Sequence, residues 1–163
     1  METVTNPDLQ LAFDFVKYTN RNIFLTGKAG TGKTTFLHDL KRTSPKRMIV
    51  VAPTGVAAIN AGGVTIHSFF QMPFGPIIPT SANGLSNTQD KDPSTIRRFS
   101  REKLNIIRSL DLLVIDEISM VRADLLDGID QVLRQFKNRN KPFGGAQVLM
   151  IGDLRQLLQI ANH

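Results

Sequence analysis

The run Gly27-Lys28-Ala29-Gly30-Thr31-Gly32-Lys33-Thr34 has the spacing G-x-x-x-x-G-K-T. The stretch Asn22-Ile23-Phe24-Leu25-Thr26 precedes it, and Thr35-Phe36-Leu37-His38-Asp39-Leu40 follows it. The sequence therefore predicts a short strand, a glycine-rich loop and a helix in direct succession. That order separates a working phosphate loop from a chance match. Its glycines let the backbone wrap a phosphate, so that several N–H groups converge on it at the positive end of a helix. The expectation is a nucleoside triphosphate site built from Gly27, Ala29, Gly30, Thr31, Gly32, Lys33, Thr34 and Thr35. Lys33 would reach the β- and γ-phosphates, and the Thr34 hydroxyl would help to hold Mg²⁺. The alternative is a glycine-rich turn with no ligand.

Further elements alternate along the chain. Residues 7–18 carry Leu9, Phe13 and Val16 at helical spacing, which predicts an amphipathic helix. The helix after the loop runs to about residue 42, where Thr43-Ser44-Pro45 breaks it. Met48 to Ala52 is a continuous apolar run of strand length, as in a parallel strand covered on both faces. Pro53-Thr54-Gly55 turns the chain into a short Ala-rich helix ending at Gly62-Gly63. Residues 71–95 hold four of the eight prolines and a polar cluster, and so read as a loop or small insertion. Ser94 is the expected cap of a helix reaching about residue 109. Asp111 to Asp116 and Gln147 to Ile151 read as strands on either side of a helix over 122–137. Alternating strands and helices make this an α/β domain with a mainly parallel sheet and helices on both faces. Ligands in such sheets sit at the carboxyl ends of the strands. The phosphate loop, Pro53-Thr54, Asp116-Glu117 and Gly152-Asp153 all fall there.

The 163 residues suit one domain, which at that size buries roughly 70% of its unfolded surface. There is no cysteine, so a disulfide framework and a thiolate zinc site are both excluded. The sequence shows no signal-peptide pattern and no apolar run long enough to cross a membrane. An intracellular setting is the expectation. The net charge of +6 favours polyanionic partners, although a solvated basic face would give the same balance.

Leu112 to Ile115 delivers two adjacent carboxylates, Asp116 and Glu117. Asp116 would complete the Mg²⁺ shell opposite Thr34. Glu117 would orient or deprotonate an attacking water, the work of a general base. This pair favours hydrolysis over phosphoryl transfer to a substrate hydroxyl. Plain surface carboxylates at a strand end are the alternative. No Asn-Lys-x-Asp guanine reader is present.

With both elements placed, the chain resembles the Pif-type (petite integration frequency) DNA helicases and their RecD-like relatives in superfamily one, type B. The resemblance runs over nearly the full length. It rests on Gly27 to Thr35, Ala52-Pro53-Thr54-Gly55-Val56-Ala57-Ala58, Gly62-Gly63-Val64-Thr65-Ile66-His67-Ser68-Phe69 and Ile115-Asp116-Glu117-Ile118-Ser119-Met120-Val121. Phe143-Gly144-Gly145-Ala146-Gln147 and Gly152-Asp153-Leu154-Arg155-Gln156-Leu157 complete it. The resemblance implies a RecA-like motor domain that moves 5′ to 3′ along single-stranded DNA. Pro53, Thr54, Gly55, Thr65, His67, Ser68 and Phe69 would line the DNA path, with hydroxyls and amides on phosphates and a ring on a base. Phe69 and Phe70 as core residues are the competing reading. Gln156 would sense the γ-phosphate, and Gln10 falls where the family places an adenine-contacting glutamine. These residues do not distinguish DNA from RNA as the track. Arg97, Arg101 and Arg108 share a helix face that reads as solvated.

Two departures follow from the same comparison. The family usually places two prolines after its Gln-Leu, whereas this chain reads Gln156-Leu157-Leu158-Gln159, which removes a rigid turn. The family's second RecA-like domain, with the arginine that completes the ATP site, would have to lie beyond residue 163. The expectation is that these 163 residues alone bind nucleotide and hydrolyse it slowly.

Overall fold

The computed structural model describes residues 6–28, 30–72, 74–75 and 99–153. The apolar runs become strands β1 (Ile23–Thr26), β2 (Met48–Ala52), β4 (Leu112–Ile115) and β5 (Gln147–Gly152), joined by the two-residue β3 (Val64–Thr65). The sheet order is β1-β5-β4-β2-β3, and every neighbouring pair is parallel. Register aligns Thr26 with Gly152, Val51 with Ile115, and Ala52 with Thr65. The carboxyl ends of all five strands therefore open onto one side of the molecule.

Among the described residues, six α-helices cover the sheet: α1 (Pro7–Tyr18), α2 (Lys33–Thr43), α3 (Gly55–Ala61), α4 (Ile66–Phe70), α5 (Arg101–Ser109) and α6 (Ala123–Phe136). Successive strand residues point to opposite faces, and the core divides accordingly. Leu112, Val114, Leu149 and Ile151 pack with Val16, Leu37 and Leu40 of α1 and α2. Leu113, Ile115 and Val148 pack with Ile66, Phe70, Ile107 and Ile129 of α4, α5 and α6. A parallel sheet buried on both faces needs strands that are apolar at every position, and β4 is buried throughout.

The helix expected from Ser94 starts later. Phe99 and Ser100 are not helical, and α5 begins at Arg101 with the Ser100 hydroxyl accepting from Lys103 N at 3.2 Å. Phe99 is anchored in the core, edge-on to Phe136 at 5.4 Å, directly before the cap. Ser94 and Arg97 lie outside the described residues, as does most of the 71–95 stretch.

At the amino ends of the strands, Gln147 is 1% exposed yet fully engaged. Its Nε2 donates to Arg21 O at 2.7 Å, and its Oε1 accepts from Lys46 Nζ at 2.7 Å. Lys46 also donates to Thr19 O at 2.6 Å, which ties the end of α1 to the sheet. Burial pushes the Lys46 amine below its ordinary pKa, against the opposing pull of Asp111. Near the other end of the sheet, the Gly62-Gly63 pair has a packing cause. A Cβ on Gly63 would lie 2.2 Å from Val50 O, so only glycine lets α3 return this close to β2.

Candidate phosphate site and nucleic-acid face

The loop after β1 reaches α2 through two left-handed glycines, Gly30 (φ 80°) and Gly32 (φ 87°), a conformation that costs residues with a Cβ. Gly32 is the N-cap of α2 and provides no side-chain acceptor. By contrast, Asn6, Thr54, Thr65 and Ser100 cap their own helices with side-chain oxygens. The first N–H groups of α2 are thus left to point into the space above the loop. Thr31 steadies the loop by donating its hydroxyl to Lys28 O at 2.8 Å. The Lys33 amine donates to Gly27 O, and to Lys28 O at 3.0 Å.

That space is a cavity of about 400 Å³ lined by Gly30, Gly32, Lys33, Thr34 and Thr35 of the loop and α2. Asp116, Glu117, Gly152 and Asp153, from the ends of β4 and β5, line it too. The sheet order explains the pairing, because β5 lies between β1 and β4, so Gly152-Asp153 sits between the loop and the carboxylate pair. In the sequence, Gly152 and Asp153 fall at one of the strand ends expected to hold ligands and within a motif of the resemblance, without an individual role. Only the position of β5 makes them wall residues.

Asp116 leaves β4 with its N–H donating to Val51 O at 2.9 Å. Glu117 is itself left-handed (φ 52°) and donates its N–H to Asp116 Oδ1 at 3.0 Å, and the 3-10 turn Ile118–Met120 follows. Burial raises the Asp116 pKa, against the Glu117 N–H and the Lys33 charge. Burial also raises the Glu117 pKa, Asp116 and Asp153 add to it, and Lys33 opposes. Two desolvated carboxylates therefore face one amine and a row of helix N–H groups.

Among the described residues, no group of three or more His, Cys, Asp or Glu is placed to hold a metal alone. Mg²⁺ typically takes one or two carboxylates and completes its shell with water and substrate phosphates. The Thr34 hydroxyl and the Asp116 carboxylate, which line one cavity, fit that mode.

A second cavity, of about 590 Å³, shares Gly32 and Thr35 with the first and extends between α1 and α2 past Leu9, Gln10 and Phe13. Gln10 is exposed on its wall and donates to Asp14 Oδ1 at 3.1 Å. Ala29 and Gln156 lie outside the described residues, as does the Gln156-Leu157-Leu158-Gln159 stretch.

The residues expected along a nucleic-acid path gather at the ends of β2 and β3. Thr54 caps α3, its Oγ1 accepting from Ala57 N at 3.2 Å, and Thr65 caps α4, its Oγ1 accepting from Ser68 N at 3.2 Å. Pro53 and His67 are half-buried, and Gly55 and Ser68 are exposed. Phe69 does not fit its expected part. Its ring is 5% exposed in the core, edge-on to Phe70 at 4.8 Å, and so has no face for a base. α4 lies against the sheet, so Ile66, Phe69 and Phe70 together become the residues it buries. Arg101 and Arg108 are exposed, as a solvated face requires.

No helix among the described residues is long and apolar enough to cross a membrane. Comparison with known proteins gives one consistent answer. The ATP-dependent DNA helicase PIF1 of Saccharomyces cerevisiae (strain YJM789) is 39% identical over 146 residues, which cover 86% of this chain and 16% of that protein. The Mus musculus protein of the same name is 40% identical over 138 residues, covering 84% of this chain and 19% of that one. The structure of unliganded Pif1 from Bacteroides sp superposes with a TM-score of 0.79 at 46% identity, over 96% of this chain and 33% of that chain. Bacteroides Pif1 bound to ssDNA gives 0.77 at 44%, over 99% and 36%. The chain thus spans a minor part of each of these relatives. The model of the PIF1-like helicase family matches residues 9–163, and the chain belongs to that family.

Proposed function

We propose that this chain is the ATP-hydrolysing motor segment of a DNA helicase that moves along single-stranded DNA. The observation that carries the reading is the apposition of the uncapped α2 N-terminus and Lys33 with Asp116 and Glu117 across one cavity. The family's DNA helicases and the ssDNA complex of a Bacteroides relative support the choice of nucleic acid.

The chemistry assigned to the site follows from its groups. The α2 N–H groups and Lys33 hold the phosphates of ATP and spread their negative charge. A Mg²⁺ held by Thr34 and Asp116 would neutralise phosphate charge and fix the orientation of the terminal phosphoryl group. Glu117, its proton affinity raised by burial and by Asp116, orients a water and takes its proton as the water oxygen bonds to the γ-phosphorus and the bond from that phosphorus to the bridging oxygen breaks, releasing ADP. The cavity beside Gln10 takes the nucleoside. Gln156 is assigned the part of a γ-phosphate sensor. Thr54, Thr65, His67 and Ser68, with the backbone at Pro53 and Gly55, are assigned to the strand, because they follow β2 and β3 on the side that holds the phosphate loop. A second RecA-like domain elsewhere in the complete protein would close the ATP site, and residues 1–163 form a single motor domain.

The experiment is ATP hydrolysis by the full-length protein with and without single-stranded DNA. Strong stimulation by DNA is expected, and turnover indifferent to nucleic acid would overturn the reading in favour of an ATPase acting on a protein partner. RNA oligonucleotides in the same assay decide the track. Lys33→Ala should abolish the thermal stabilisation by ATP, which is about 2.7 kcal/mol at 100 times the dissociation constant.

A further inference from the structure

Phe74 lies just after α4 and is 91% exposed. Its ring lies face to face with the His67 imidazole, centroids 4.7 Å apart and planes 11° from parallel. An exposure of 91% with one face covered leaves the opposite face open to solvent. Val56 and Ile59 are also strongly exposed apolar residues, yet no aromatic neighbour orients them.

The backbone on both sides of Phe74 is held. Met72 N donates to His67 O at 3.1 Å, which returns the chain over the end of α4. Arg122 Nη2 donates to Gly75 O at 2.8 Å, while the same guanidinium pairs with Asp124 at 2.9 Å. α4 is in turn anchored by the buried rings of Phe69 and Phe70. A positive charge lies against the same short helix, since Lys103 Nζ is 3.2 Å from O of Ser68, the residue after His67, and 5.3 Å from the Phe69 ring centre. An open aromatic face, a fixed backbone and a neighbouring cation are the features that bind an unpaired nucleotide. The ring stacks on the base, and the cation attracts the phosphate.

We propose that Phe74, seated on His67, is a base-stacking platform for single-stranded nucleic acid at the carboxyl end of the sheet. The inference rests on the single-strand reading given above and assigns to Phe74 the stacking part that buried Phe69 does not fill. Every base has a π face, so the platform holds the strand without selecting sequence. It also adds no phosphate contact, so its loss weakens binding at all salt concentrations equally.

The test is binding of an oligodeoxynucleotide carrying 2-aminopurine, whose fluorescence is quenched on stacking, to the full-length protein across a salt series. Wild type is compared with Phe74→Ala, Phe74→Leu and Phe74→Tyr. Phe74→Ala and Phe74→Leu should weaken binding about 5- to 100-fold with the salt slope unchanged and the binding-induced quench reduced. Phe74→Tyr, which keeps the ring, should stay near wild type and shows that the position tolerates substitution. If wild type binds and Phe74→Leu binds equally well, the platform is wrong and the single-strand reading stands. If wild type fails to bind the oligonucleotide, the single-strand reading falls and the platform with it.

Discussion

Asp116 and Glu117 hold protons more tightly in the folded chain than in an unfolded one, because burial disfavours their charged forms. In the window between the ordinary carboxylate pKa and the raised folded value, the folded state therefore binds more protons. Stability falls as pH rises through that window and stays lower above it. At neutral pH the pair destabilises the fold in exchange for its chemistry. Asp116→Asn removes one of the two charges, and it should raise the melting temperature of the ligand-free protein at pH 7 by about 2–4 °C. The gain should shrink as the pH falls below the window, which differential scanning calorimetry across pH reads directly. Glu117→Gln separates chemistry from binding. Its turnover should drop roughly 10²- to 10⁴-fold with nucleotide affinity retained, measured by single-turnover hydrolysis beside equilibrium titration.

At the scale of elements, α3 connects the two sides of the site, leaving β2 at Thr54 and returning to β3 through Gly62-Gly63. Its return depends on the close approach of Gly63 to Val50 O. Gly63→Ala forces strand or helix to move, and it should cost about 1–3 kcal/mol in chemical denaturation. It should also weaken single-strand binding more than nucleotide binding, because β3 and α4 follow the displaced turn while α2 does not. The Gly-Gly of this motif was legible in the sequence as a family signature, but its packing cause was not. Glycine spacing does not say which carbonyl will lie opposite. The start of α5 shows the same limit. Ser94 is an acceptable cap by type, yet the hydroxyl that caps α5 is that of Ser100, directly after Phe99, which packs edge-on to Phe136.

For the whole molecule, the net charge of +6 and the strand path proposed at the carboxyl ends of β2 and β3 imply salt-sensitive binding. The logarithm of affinity should fall with that of salt by about 0.7 per phosphate contacted, and fluorescence anisotropy across a salt series gives the count. Among the described residues lining the phosphate cavity, Lys33 is the one cation. An arginine supplied from outside a site of this kind is typically worth on the order of 10³- to 10⁵-fold in rate. The 163-residue segment alone should therefore bind nucleotide yet hydrolyse it at least about 10³-fold more slowly than the full-length protein on DNA. Comparable turnover by the two would show that the cavity is complete without a second domain.

Sequence by itself determined what depends on neighbours along the chain. The phosphate loop, the Asp116-Glu117 pair and the apolar strands were readable because glycine spacing and run length act locally. Their membership of one α/β site followed from alternation and from the rule that strand ends hold ligands. Only the tertiary structure decided which groups meet. β5 enters between β1 and β4, and that makes Gly152 and Asp153, rather than the end of β2, neighbours of the loop and the carboxylate pair in one cavity. Phe69 and Phe74 are five residues apart and chemically identical, yet one is core and the other is surface. The difference arises from how α4 lies on the sheet, a consequence of long-range packing that the order of residues does not display.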